Sequence, residues 1–275
     1  MKTIVAATDY SKTSLNAVHY AAELALKTKS KLLLYHAFGV PVITSEAVVV
    51  AVPFEDMEAA NNKRLNSITK NLKKKYSNTV EISYLTQMGF VADTFETMIE
   101  AKKADLLVMG IKAAGKVSEI VIGSTASDMA GRVKCPVLIV PEKASFTKLK
   151  KIVFANDNEK ISNTANLKIL LELASIFKSK LFLLNVRDPD KLISSEKKKA
   201  SEIEKYFKGI EHSIDFVNNK YDDVVAGINE FVKDNNTDMV AMISRKHSLL
   251  NRIFTETNTK KMAFHTNVPL LSLHD

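Results

Sequence analysis

Cysteine occurs once in this 275-residue chain, at Cys135. One cysteine excludes an internal disulfide framework and predicts a reducing, cytoplasmic setting. Long hydrophobic runs are missing too, since none approaches the roughly 18 apolar residues that a membrane span requires. The start, MKTIVAATDYSKTS, sets one lysine before a short apolar run that meets an aspartate. That pattern predicts a first β-strand rather than a secretory leader, so export is not expected. The histidines (His19, His36, His212, His247, His265 and His274) show no HExxH spacing, and no CxxC exists to complete a metal site. Neither GxxxxGK[ST] nor GxGxxG occurs. Glycine is scarce, with eight in the chain, yet four of them fall within VMGIKAAGKVSEIVIGSTASDMAG, residues 108–131.

Acidic residues are outnumbered by Lys and Arg, 31 to 39, which gives a net charge of +8 and a pI near 9.3. Such a balance raises the question of nucleic acid. The lysines gather in KNLKKKY (Lys70, Lys73, Lys74, Lys75) and EKKKASEIEK (Lys197, Lys198, Lys199), polar and helix-like segments. No aromatic residues are interleaved to stack bases, so solvated helix faces are expected and nucleic acid is not.

The chain is written twice. IVAATDYSKTS from Ile4 lies over IVFANDNEKIS from Ile152, and KSKLLLYHA from Lys29 lies over KSKLFLLNV from Lys178. Farther on, ADLLVMG from Ala104 matches TDMVAMI from Thr237, and CPVLIV from Cys135 matches VPLLSL from Val268. The offset between copies falls from 149 to 133, so the second copy is shorter in between. The apolar insert GVPVITSEAVVVAVPF, residues 39–54, has no counterpart after Val186.

Within the first copy, short apolar runs alternate with helical patterns. TIVAAT, KLLLYHAF, VEISYLTQ, DLLVMG and PVLIV read as strands. Between them, Ser11 or Thr13 caps a helix to about Thr28, and residues 55–76, 91–103 and 124–133 follow as helices. Val91, Phe95, Met98 and Ile99 are expected on one apolar face. Continuous apolar strands separated by helices predict an α/β fold with a parallel sheet covered on both faces. The copies divide at a short polar linker around EKASFTKLK into domains 1–143 and 148–275. In open sheets of this kind, ligands sit outside the carboxyl ends of the strands where strand order reverses. Asp9, Ala37 and Gly110 mark such ends. Gly110 permits a sharp turn or close approach to a ligand. Gly123-Ser124-Thr125 opens a helix whose free N–H groups suit phosphate, while Thr125 and Asp128 are spaced as a capping box.

These residues resemble the universal stress protein (UspA-like) family. Its first strand runs into an Asp-x-Ser segment, as VAATDYS does here, and its ATP-binding members carry G-x2-G-x9-G-[ST] before a CPVLVV-like strand. Gly110, Gly123, Ser124 and CPVLIV fit that spacing, whereas Ala113 holds the middle glycine slot and Gly115 lies two positions later. The resemblance covers both copies and implies two tandem Rossmann-like domains of the adenine nucleotide alpha hydrolase type, each with a five-stranded parallel sheet. It puts adenosine near Thr8, Asp9 and the backbone at Ala37. It puts phosphates against Met109, Gly110, the Ala113–Gly115 turn, Gly123, Ser124 and Thr125, with ATP and Mg as ligands. Alanine in a slot requiring positive φ costs about 1–2 kcal/mol.

The second copy departs from that pattern. Ile243 stands for Gly110, Lys246 for Ala113 and Glu256 for Gly123, although Asp157 still matches Asp9. A carboxylate where phosphate should bind repels it. The division expected is one nucleotide-binding half and one degenerate half. Cys135 reads as a small core hydrophobe, His36 as a satisfied rim residue, and Arg245-Lys246-His247 as a solvated basic loop. The insert suits packing on the other half or on a second chain, with a lid over the pocket as the other use. The resemblance further implies that the last strands of the two copies pair, giving a pseudo-dimer within the chain; a homodimer is a further state.

The function these features imply is a cytoplasmic, ATP-binding stress-response regulator with an unknown protein partner and no membrane contact. No base–nucleophile pair is present for efficient hydrolysis, so no catalytic residue is assigned. Two alternatives stand beside it: an interaction module with a vestigial pocket, and a slow ATPase or autokinase.

Overall fold

The computed structural model describes residues 1–39, 53–112, 129, 133–156, 161, 164–186, 199, 201–217, 224–244 and 268–274. The first half contributes β1 (Thr3–Ala7), α1 (Lys12–Thr28), β2 (Lys31–Phe38), α2 (Phe54–Lys75), β3 (Ile82–Met88), α3 (Val91–Lys102), β4 (Leu106–Ile111) and β5 (Val137–Pro141). The second contributes β6 (Lys151–Ala155), α4 (Lys168–Phe177), β7 (Lys180–Val186), β8 (His212–Val217), α5 (Val224–Asn235), β9 (Met239–Ser244) and β10 (Leu270–His274).

All ten strands form one sheet in the order β3-β2-β1-β4-β5-β10-β9-β6-β7-β8. Each half is a five-stranded parallel sheet. The halves join through antiparallel pairing of β5 with β10, which sets Leu270 opposite Ile139 and Leu271 opposite Leu138. Successive strand residues face opposite sides, so each strand feeds two cores. Ile4, Leu138, Ile152 and Leu271 enter one apolar layer with residues of α1, α2 and α4. Val5, Val137, Val153 and Leu270 enter the other with residues of α3 and α5. Both layers run unbroken from one half into the other.

The duplication persists atom by atom. Asp105 Oδ2 accepts from the amides of Lys2 and Thr3 at 2.6 and 2.8 Å, and Asp238 Oδ2 accepts from those of Lys150 and Lys151 at 2.8 and 2.9 Å. Each aspartate thus pins the start of its half's first strand. Ser11 caps α1, accepting from the Ser14 amide at 3.2 Å. Glycine scarcity is visible at helix ends, where Lys29, Lys103, Lys178 and Asn236 take the left-handed conformation that glycine usually fills.

Three expectations need correction. Phe95, Met98 and Ile99 are buried as a face of α3, but Val91 is 37% exposed, being the first residue of its helix and following an 84%-exposed Phe90. The linker, expected to be polar, buries Ala144 and Leu149. Asn16 Nδ2 donates to the carbonyls of Pro141 and Ala144, and the Phe146 ring packs between Tyr20 of α1 and Phe177 of α4. Its aromatic residue therefore acts as a wedge between the halves. Gly110 does not end β4 but lies within it, paired with Val140. The apolar insert between Gly39 and Pro53 lies outside the described residues, as does the helix expected over 124–133 apart from Met129 and Val133.

Candidate functional site

Strand order reverses between β1 and β4, which run side by side with Ala6 opposite Val108. The turn leaving β1 at that point is built from short polar side chains. Thr8 Oγ1 and Ser14 Oγ share a hydrogen bond at 2.9 Å, and Ser14 Oγ also accepts from the Asp9 amide at 3.2 Å. The Ser11 amide donates to Asp9 Oδ1 at 3.0 Å. Burial pushes the Asp9 carboxyl up, but hydrogen bonds from Ser11 and Ser14 outweigh it and leave the group below its ordinary value. Asp9 is therefore an exposed, ionised carboxylate held in one orientation.

Tyr10 comes next, with φ of 68°. A bulky residue rarely takes this conformation and requires outside support. Support comes from two contacts to its ring. The guanidinium carbon of Arg64, on α2, lies 4.4 Å from the ring centroid, a cation–π distance. The His36 ring centroid lies 4.4 Å away, tilted by 47°. His36 in turn is tied to the turn it faces, with Nδ1 at 2.7 Å from the Thr8 carbonyl. Burial pushes the imidazole below its ordinary value, and Tyr10 is pushed up to about 12 by burial as well.

Of the residues singled out by sequence, Thr8 and Asp9 lie in this turn, Ala37 on β2 beside it, and Met109 and Gly110 on β4. Ala113, Gly115, Gly123, Ser124 and Thr125 lie outside the described residues, as do Asp157, Lys246 and Glu256 of the second half. Gly110 is bare for a reason the sequence did not suggest. A Cβ there would stand 2.6 Å from the Thr13 carbonyl oxygen and 2.9 Å from its carbon. The close approach is to the first turn of α1 rather than to a ligand. In the second half Ile243 takes this place, and the corresponding helix α4 starts only at Lys168, after a 3-10 turn over Thr164–Leu167. Tyr10 and Arg64 carried no sequence signal: they meet because α2, which packs on β2 and β3, reaches the turn after β1, where Tyr10 Oη also donates to the Asn61 carbonyl at 3.3 Å.

Cys135 is buried in the sheet core and its thiol is pushed up to about 12 by that burial, as a structural cysteine would be. Among the described residues there is no cluster of three or more metal-ligating side chains, and no helix is long and apolar enough to cross a membrane. The lysines Lys70, Lys74, Lys75 and Lys199 are exposed.

Comparison with known proteins follows the duplication. The model of the universal stress protein family matches residues 1–141 and again residues 148–274. A universal stress protein of Methanocaldococcus jannaschii is 28% identical over 144 residues, covering 50% of this chain and 81% of its own. The crystal structure of a universal stress protein from Archaeoglobus fulgidus shares the fold across both halves, with a TM-score of 0.71 at 14% identity, covering 98% of this chain and 95% of its own. A universal stress protein solved in complex with cAMP is 26% identical across 50% of this chain and 96% of its own, with a TM-score of 0.38. The chain belongs to the universal stress protein family, whose unit it carries twice in tandem.

Proposed function

We propose that the first half, residues 1–143, binds one adenine nucleotide, ATP with Mg, and that the second half, residues 148–275, keeps the fold without the ligand. The protein is then a nucleotide-responsive regulator of the cytoplasm rather than an efficient enzyme. The observation that supports this most is the arrangement at the strand reversal. An exposed, oriented Asp9 follows β1, and β4 leads from Met109 and Gly110 directly toward the glycine-bearing segment. Open α/β sheets take ligands at this point. Thr8, Asp9 and the Ala37 backbone serve the adenosine end. The backbone at Met109 and Gly110, with Ala113, Gly115, Gly123, Ser124 and Thr125, serves the phosphates. Gly110 contributes backbone only, because its bare side is occupied by α1.

Gly123→Glu installs in the first half the residue that Glu256 supplies in the second. Coulomb repulsion of a few kcal/mol between this carboxylate and a phosphate lowers Mg-ATP affinity about a hundredfold. Calorimetry on wild type and variant of equal melting temperature checks it; equal heats of binding would remove the phosphate assignment. A simpler check is absorbance of the purified protein, since a chain without tryptophan shows carried nucleotide clearly as excess at 260 nm.

A further inference from the structure

The two halves make the same bond with different side chains. In the first, the Thr8 amide donates to the Tyr35 carbonyl at 2.9 Å and His36 Nδ1 meets the Thr8 carbonyl at 2.7 Å. In the second, the Asn156 amide donates to the Leu184 carbonyl at 3.0 Å and Asn185 Nδ2 donates to the Asn156 carbonyl at 2.9 Å. His36 and Asn185 occupy equivalent positions of the repeat. Tying the second strand to the turn after the first therefore needs only an N–H donor, which an amide supplies.

What the imidazole adds is its other nitrogen. A carbonyl only accepts, so the hydrogen of the neutral ring sits on Nδ1. Nε2 then carries a lone pair, and it has no protein partner among the described residues. Asn185 differs in access as well as length: it is 2% exposed, and its Oδ1, sealed in the core, has no partner among the described residues. His36 is only half-buried and stands next to Ala37, at the carboxyl end of β2. Its ring packs against Tyr10, which also meets Arg64, and lies nearly parallel to Phe38 at 6.1 Å. An immobilised acceptor at this edge suits a ligand that brings a donor.

We propose that His36 reads the base of the bound nucleotide, its Nε2 accepting a hydrogen bond from the 6-amino group of adenine, so that the first half selects 6-amino over 6-oxo purines. This rests on the nucleotide reading of that half. A 6-oxo group offers Nε2 only another acceptor, and a polar group left unpaired loses affinity. The charged and titratable groups facing the ring are Asp9 and Tyr10 from the turn and Arg64 from α2; from β3 its register neighbour is Thr86. Protonation turns Nε2 into a donor, which favours the 6-oxo group. Selectivity for the 6-amino base therefore falls as pH drops through the lowered titration range of His36.

The test is binding of Mg-ATP against Mg-ITP, which differ in the base, to wild type and to His36→Asn at about pH 8 and about pH 5.5. The Asn variant copies the bond that the second half already makes, so its melting temperature should match wild type. Wild type should bind ATP roughly tenfold more tightly than ITP at the higher pH, with a smaller ratio at the lower. His36→Asn should bind the two within about twofold, with no pH trend in the ratio. Equal affinities in wild type overturn the inference without touching the nucleotide reading. A full, pH-independent preference in His36→Asn overturns it too. Binding of neither nucleotide by wild type overturns both. With a variant that fails to fold, the pH trend in wild type carries the test: a preference for ATP that does not fall at the lower pH overturns the inference.

Discussion

Gly110→Ile lowers the stability of the first half by about 4 kcal/mol, and Gly110→Ala by about 2, as read by urea denaturation. The isoleucine is the residue that the second half carries at the equivalent position, where it is partly buried against the core. Repeat logic alone would call the exchange harmless. The geometry says otherwise, because an added Cβ meets the Thr13 backbone at 2.6 Å and Ser14 Cα at 3.1 Å. Backbone at a helix start cannot rotate away as a side-chain tip can, so relief requires moving the first turn of α1. That turn carries the Ser11 cap and the Ser14 hydroxyl that orient Asp9. Gly110→Ile should therefore disturb the β1–α1 turn as well as the fold. A variant as stable as wild type would show that α1 does not lie on β4 in this way.

Leu271→Asp should cost still more, about 5 kcal/mol, and should separate the halves. Leu271 is fully buried on β10, opposite Leu138 of β5, in the apolar layer common to both halves. An aspartate there loses the apolar contacts and brings a carboxylate with no described cation beside it. Among the described residues only β5 and β10 link the two five-stranded sheets by a strand ladder, while α1, α4 and Phe146 add side-chain contact. Amide exchange is the direct readout. Residues 137–141 should lose protection in the variant while those of β1 and β2 keep theirs. Unchanged protection across β5 would mean that the halves are held together elsewhere.

Much of this fold was legible because its strands are short apolar runs bounded by polar helix starts, and because the pattern occurs twice. A helix start at Ser11 or Thr13 and the β2 strand over Lys31–Phe38 follow from such local signals, whereas the pairing of the two last strands follows from the family resemblance. What escaped depended on partners distant in sequence. A glycine at a strand end reads alike whether its bare edge meets a ligand or a helix; only the approach of Thr13, far earlier in the chain, distinguishes the two at Gly110. The Arg64–Tyr10–His36 stack joins three elements, and no spacing rule connects them. Phe146 sits in a polar stretch and reads as linker until α1 and α4 close around it. His36 reads in sequence as a satisfied rim residue, and its second nitrogen stands out only beside Asn185.

The number of nucleotides bound per chain bears most directly on the claim that duplication left one competent half. Titration calorimetry with Mg-ATP at sub-millimolar concentrations should give one site per chain, abolished by Gly123→Glu and untouched by Glu256→Gln. Two sites per chain, or none, would contradict it.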